Sequence, residues 1–423
     1  DYTVEIPEAD RSWLSLAETR AVMRDETLTF TAAANNTLTA RYTIVRLVDA
    51  LGVTGETILI TQNAGSAQNL HIATAGTLET IISADKKDTI EELTLTGTLN
   101  TFDFDFIRTM TNVKMLDLSG LDNTTIPTGC FDNSTIATVI LPMNLTAIPN
   151  RAFYQAGITS IYIPETVETI GDYAFYQCKS IQGDLVIPDA TTSIGEYCFQ
   201  ESTFDGILKL GNGLQTIGAG AFYKCVNFTG DLIIPDNVTT LGKYTFYQCT
   251  GFNGKIVIGN SLQSIPKDAF SGCSGLEGTI TLGESITSIG DFAFDYCSKL
   301  TGNLIIPDKV ETIGEYAFYN CVNLKGYLTI GCAVISIAKS AFVYTTSNSS
   351  LNYIFNFSKY YCKALTPPSI VKPTYNSTYS YYYGTFGGNI VTKVVLYVPK
   401  DTLEQYKQSN WRTAFALIEE IEF

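Results

Sequence analysis

The 423-residue chain contains a single histidine, His71. A two-histidine zinc motif is therefore impossible, and the commonest general base of enzymes has one candidate. His71 sits between Leu70 and Ile72, a setting that suits a structural residue better than a catalytic one. No Gly-x-Ser-x-Gly, Gly-x-Gly-x-x-Gly or phosphate-binding glycine loop occurs. The closest two of the ten cysteines, Cys321 and Cys332, are 11 residues apart, so no Cys-x-x-Cys exists for zinc or redox work. Positive charge is scarce: 27 Lys and Arg against 42 Asp and Glu leave a net charge of −15. That balance offers no footprint for nucleic acid and disfavours an anionic membrane surface. No apolar run reaches 18 residues, so membrane attachment would need an anchor outside this chain. "FDFDF" (102–106) provides only Asp103 and Asp105, with no glycine or closing glutamate in register for a calcium loop. It reads as a helix or turn that packs its aromatics. The sequence implies neither cofactor nor metal.

Order comes from a repeat. Ten phenylalanines (Phe131, Phe153, Phe175, Phe199, Phe222, Phe246, Phe270, Phe294, Phe318 and Phe342) follow one another at gaps of 22, 22, 24 and 23 residues, then five gaps of 24. Each has Ile or Leu five residues earlier, from Ile126 to Ile337. A period of this length marks a solenoid whose coils bury their apolar faces on one another. One elongated stack is expected in place of the two or three globular domains that 423 residues would otherwise suggest. A second ladder alternates at strand period: Leu93, Leu116, Val139, Ile161, Leu185, Leu208, Leu232, Ile256, Ile280, Leu304 and Leu328, each followed two residues on by another aliphatic. It predicts a parallel sheet along the whole solenoid. The segment ending at each Phe fits a short helical turn or an irregular strand. Cys178, Cys225, Cys249, Cys273, Cys297 and Cys321 all stand three residues after a ladder Phe, which predicts a column of free buried thiols. Cys332 and Cys362 lie off that register and are the one pair to test for a bridge.

The recurring "IP-x-x-V-x-x-IG-x-x-AF-x-x-C", near-perfect at 163–178, 234–249 and 306–321, resembles the BspA-like leucine-rich repeat family over roughly residues 68–345. Earlier coils such as "LDLSGLDNTTIPTGCF" (116–131) read closer to an ordinary leucine-rich repeat, and 77–97 reads as an N-terminal cap. Residues 1–66 break the register and alternate at strand period. Through Trp13, the Asn35-Asn36 turn, Arg41 and "ILITQNAG" they are similar to the BACON domain, an Ig-like β-sandwich, with its first strands missing. Residues 67–345 form the solenoid and 346–423 a C-terminal cap, in which Asp401 and Glu404 have capping-box spacing before a helix carrying Leu403, Tyr406 and Trp411. The fold class is therefore mainly β, with short helical or irregular turns. The chain begins at Asp1 without a basic-then-apolar leader and reads as a mature or trimmed chain.

Two surfaces are candidates for binding. The outward row of the strand sheet comprises Ile140, Tyr162, Val186, Lys209, Ile233, Val257, Thr281, Ile305 and Thr329. Strand propensity alone favours β-branched residues there, yet a contiguous apolar strip is also a contact surface. The second surface is the cluster Tyr375, Tyr379, Tyr381, Tyr382 and Tyr383 within 374–388, which either packs on the last coil or presents amphipathic rings to a ligand. The resemblance implies a non-catalytic, adhesin-like monomer, secreted or on the outer-membrane surface of a Bacteroidetes-type bacterium. Its partner would be a host or microbial protein. The alternative is a glycan, for an accessory protein of a polysaccharide or mucin system.

Overall fold

A computed structural model describes residues 2–8, 11, 14–16, 30–32, 41–49, 54–62, 68–82, 87–344, 357–371, 374–376, 381–383, 385–386 and 391–423. It divides into two compact units, Asp1–Leu121 with Thr135–Ile140 and Asp122–Ser134 with Leu141–Phe423.

The first unit opens with antiparallel strands. Tyr2–Glu5, Arg41–Asp49 and Thr54–Gln62 form one sheet, and Leu14–Leu16 pairs with Phe30–Ala32. Trp13, Asn35 and Asn36 lie outside the described residues. Pairing then turns parallel through Gln68–Ile72, Glu92–Gly97, Met115–Leu121 and Thr138–Ile140, as expected when equivalent positions recur every 20-odd residues. His71 stands on the exposed side of the first of these strands, with Nδ1 3.0 Å from Thr96 Oγ1. Between strands lie helices α1 (Leu78–Ile81) and α2 (Thr101–Arg108). Asn100 and Asp103 close a reciprocal capping box on α2: Asn100 Oδ1 accepts the Phe102 N–H at 3.0 Å, and Asp103 Oδ2 accepts the Asn100 N–H at 2.9 Å. Thus "FDFDF" is helical, but its aromatics divide. Phe104 is buried and Phe102 is 77% exposed.

The second unit carries three ladders. The innermost is the phenylalanine column, buried from Phe131 to Phe342 and stacked ring on ring, as in Phe222–Phe246 at 5.0 Å and 3°. The residues two before and two after each Phe from Phe131 to Phe318 sit in the left-handed region, mostly without being glycine, as at Tyr173 (φ 56) and Gln177 (φ 52). Such φ values are uncommon for bulky side chains. Here backbone bonds between coils hold them: the N–H groups of Phe153, Phe175 and Phe246 reach the carbonyls of Ala174, Cys198 and Ala269 at 2.7–2.8 Å. The segment is therefore neither helix nor strand but a stacked turn. Ahead of it, two-residue strands such as Thr169–Ile170 and Ser193–Ile194 bury the aliphatic five residues before each Phe from Phe153 on, in two five-stranded parallel sheets. Adjacent coils approach so closely that a Cβ on Gly195 would meet the Asp172 backbone nitrogen at 2.5 Å.

The third ladder, the longer strands, departs from expectation. It is not one continuous sheet. Within this unit it divides into Leu185–Val186 with Leu208–Lys209; Leu232–Ile234, Ile256–Ile258 and Ile280–Thr281; and Leu304–Ile305, Tyr327–Ile330, Lys359–Cys362, Val391–Pro399 and Phe415–Ile421. Ile161 belongs to no strand and is only half-buried. The groups are linked only by isolated bridges at Ile207–Thr229 and Gly278–Leu300. Left-handed glycines such as Gly183, Gly230, Gly278 and Gly302 lie just before several of these strands, leaving little extended backbone to pair.

The C-terminal helix is two short ones, α3 (Leu403–Gln408) and α4 (Trp411–Ala414), separated at Ser409–Asn410. Asp401 does not cap α3. It sits at φ 64, Thr402 occupies the cap, and the Leu403 N–H is taken by Glu420 Oε1 at 3.0 Å. Tyr406 and Trp411 are fully buried and Leu403 only half-buried.

Candidate functional site

The thiol column is structural. All ten cysteines are free, including Cys332 and Cys362, and only Cys332 is exposed. Each ladder thiol donates to the phenylalanine carbonyl of the preceding coil: Cys178 to Phe153 and Cys249 to Phe222, both at 3.0 Å. Ser202, at the equivalent position, donates to the Phe175 carbonyl in the same way. Burial pushes the Cys178 and Cys225 thiols up to about 12, which removes the reactive thiolate at neutral pH. A maleimide should therefore label Cys332 alone in the native protein and all ten cysteines after unfolding, counted by intact mass. Labelling of further thiols in the native state would refute a closed column.

Some of the acidic residues are also structural. Asp172, Asp189, Asp231 and Asp291 each use Oδ1 to accept a backbone N–H of the next coil at 2.7–2.9 Å. Asp184 and Asn303, ahead of their strands, do the same for Ile207 and Tyr327.

The strand face retains most of its candidate residues. Ile233, Val257 and Thr281 lie side by side on paired strands, and Ile233 is 50% exposed. Val186 pairs with the exposed Lys209. Ile305, 52% exposed, pairs with Thr329, and the row continues through Tyr361 and Tyr397. Tyr361 and Tyr397 stack at 5.1 Å, and Tyr327 meets Tyr361 edge-on at 5.8 Å. Two candidates differ. Ile140 is buried, and the half-buried Tyr162 falls in the coil without a strand. Tyr375, Tyr381, Tyr382 and Tyr383 belong to an antiparallel pair, Thr374–Asn376 with Tyr381–Tyr383, while Tyr379 lies outside the described residues.

A second surface escaped the sequence reading. Two columns of aromatic residues flank the buried phenylalanines, two positions before and one after, visible in retrospect as the repeated "Tyr-x-Phe-Tyr". Their rings stack along the repeat: Tyr154–Tyr176 at 4.8 Å, Tyr173–Tyr197 at 5.5 Å, Tyr223–Tyr247 at 5.0 Å and Phe292–Tyr316 at 5.0 Å. Stacked rings turn edges and hydroxyls outward, so the columns form a hydrogen-bonding wall and not a series of flat platforms for sugars. The chain's own cations occupy several remaining faces, with Arg151 4.0 Å over Tyr154 and Lys267 5.6 Å over Phe292. Among the described residues no group of three or more His, Cys, Asp or Glu could hold a metal ion, and no helix is long and apolar enough to cross a membrane.

The BspA type leucine rich repeat region, six copies of the unit, matches residues 85–182, 124–253, 182–300 and 253–366. Among solved structures, a leucine-rich repeat protein from Bacteroides ovatus is 18% identical, with 72% of this chain and 83% of that one covered and a TM-score of 0.46. The pneumococcal vaccine antigen PcpA is 17% identical, with 79% of each chain covered and a TM-score of 0.31. A leucine rich cell surface protein from Faecalibacterium prausnitzii is 23% identical, covering 68% of this chain and 81% of its own at a TM-score of 0.32. No curated protein matches. The spacing of the phenylalanine turns, their thiol column and the match over the repeat make this chain a member of the BspA type leucine-rich repeat family.

Proposed function

We propose that the protein is a non-catalytic, adhesin-like binding protein, secreted or displayed on the cell surface, whose strand face holds a protein partner. The row from Ile233 through Val257 and Thr281 to Ile305, with Tyr327, Tyr361 and Tyr397 beyond it, carries this reading. Exposed aliphatics that end in a tyrosine cluster have the composition of a protein-contact core. The family supplies the context: a solenoid holds such a row in register across coils without enclosing a catalytic cavity.

Ile233→Asp and Ile305→Asp together should weaken binding to a purified surface-protein ligand about tenfold or more, since a charge in an apolar contact core costs at least one hot-spot residue. The half-exposed positions should leave thermal stability within about 0.5 kcal/mol of wild type. A panel of immobilised host and microbial surface proteins, with neutral glycans alongside, provides the measurement. Unchanged protein binding by the double variant would sink the strand-face assignment. Binding to glycans alone would replace the protein partner with a carbohydrate.

A further inference from the structure

The aromatic wall is interrupted at Gly220 and Gln200, and at one further place by acidic residues. In the column two residues before the ladder Phe, Asp268 stands between Tyr244 and Phe292. In the column one residue after, Ser271 and Asp295 stand between Tyr247 and Tyr319. The two coils are bonded directly, Asp268 N–H to the Asp291 carbonyl at 2.9 Å and Gly272 N–H to the Asp295 carbonyl at 2.7 Å. Asp268 is only 9% exposed, and its carboxylate makes no hydrogen bond among the described residues. Asp295 Oδ1 is buried and likewise has no partner. A buried carboxylate oxygen without a donor beside a second, largely buried carboxylate is costly, and a native fold that keeps the pair calls for an explanation.

We propose that Asp268 and Asp295 form the floor of a recognition site for an arginine side chain of a partner protein, with the exposed ring of Tyr296 as its wall. A guanidinium supplies a planar fork of donors for two carboxylates and stacks on aromatic rings. The same wall already holds the chain's own cations against rings, Lys267 over Phe292 and Lys339 over Tyr316. A metal ion suits the gap poorly, because two carboxylates bring no third protein ligand with them. Tyr296 marks the entrance: it is 53% exposed and meets Tyr319 only edge-on at 6.0 Å. This site is independent of the strand-face reading.

Protonation should gate the site. The groups acting on Asp295 are Asp268, the Tyr296 backbone N–H, Tyr247, Cys297 and Cys321; Lys267 and Asp291 act on Asp268. Burial, reinforced by Asp268, lifts Asp295 to about 7. A neutral Asp295 offers a guanidinium no charge, so arginine binding strengthens as pH rises through 7 and releases a proton. In the unliganded protein the folded pKa lies above the unfolded one. Stability is therefore greatest in acid, falls as pH rises from about 4 to about 7, and levels off above that range.

The test is titration of the full chain with the peptides Gly-Arg-Gly and Gly-citrulline-Gly, following the Asp295 carboxylate carbon by NMR. We expect saturable binding of the arginine peptide at pH 8, at least tenfold weaker at pH 5.5, and none of the neutral citrulline peptide. Asp268→Asn with Asp295→Asn should abolish binding while leaving melting at pH 8 no lower than wild type. Ile233→Asp with Ile305→Asp should bind the peptide normally, which separates this site from the strand face. Absence of saturable binding to wild type at pH 8, equal binding of the citrulline peptide, or wild-type affinity in the Asn double variant would each overturn the proposal.

Discussion

Phe222→Ala should destabilise the repeat by about 3–5 kcal/mol, the range for truncating a buried phenylalanine in a core that cannot collapse around the loss. Phe222 is fully buried, stacked on Phe199 at 5.2 Å and on Phe246 at 5.0 Å, with Phe228 edge-on at 6.3 Å. One deletion therefore weakens two coil–coil interfaces at once. Because the stability of a solenoid is close to a sum of coils and nearest-neighbour terms, the damage should also uncouple the halves on either side. Hydrogen exchange should show coils near Phe199 and Phe246 opening before the rest, and a thermal transition that was single should broaden or split. A loss below about 1 kcal/mol would mean that the column packs loosely, contrary to its near-parallel rings.

Asp103→Ala should be nearly as damaging to the first unit. Its carboxylate is buried and accepts three backbone N–H groups, from Gly76 at 2.6 Å, Leu78 at 2.9 Å and Asn100 at 2.9 Å. It therefore joins the start of α1 to the start of α2. Each hydrogen bond to a charged acceptor contributes about 1.5–3 kcal/mol, and its loss leaves donors unpaired, so a total cost of about 3 kcal/mol or more is expected. Asp103→Asn should restore little, because Oδ2 serves two donors and an amide nitrogen in its place would repel one or both. Thermal melting of the full chain, with exchange read at Leu78 and Asn100, measures it. Wild-type protection at those amides in the Ala variant would refute the linking role.

The repeat was legible because every coil poses the same burial problem. Phe131 to Phe342 and the cysteines three residues later recur at positions whose surroundings are built from copies of themselves. Other features were opaque for physical reasons. Tyr173 and Gln177 occupy a backbone region their side chains do not favour, so no local preference announces the turn. Asp401 has the right spacing for a cap but adopts φ 64, and Glu420 from a distant strand supplies the acceptor for Leu403. Ile140 carries the same alternation as Ile233, yet one is buried and the other half exposed. The aromatic wall was present in the letters, but its two columns share a face only because left-handed residues on both sides of each Phe turn the chain.

Period, apolar content and the recurring Phe and Cys positions were enough to establish a stacked β architecture and the family, because nearest-neighbour stacking converts sequence spacing directly into contact. Which residues face outward depended on coil-to-coil bonding. Backbone donors from one coil orient the turn of the next, while left-handed glycines interrupt the strand ladder and Asp295 Oδ1 is left buried without a partner near Asp268. Those relations join residues more than 20 positions apart, and local preference cannot specify a contact made across that distance.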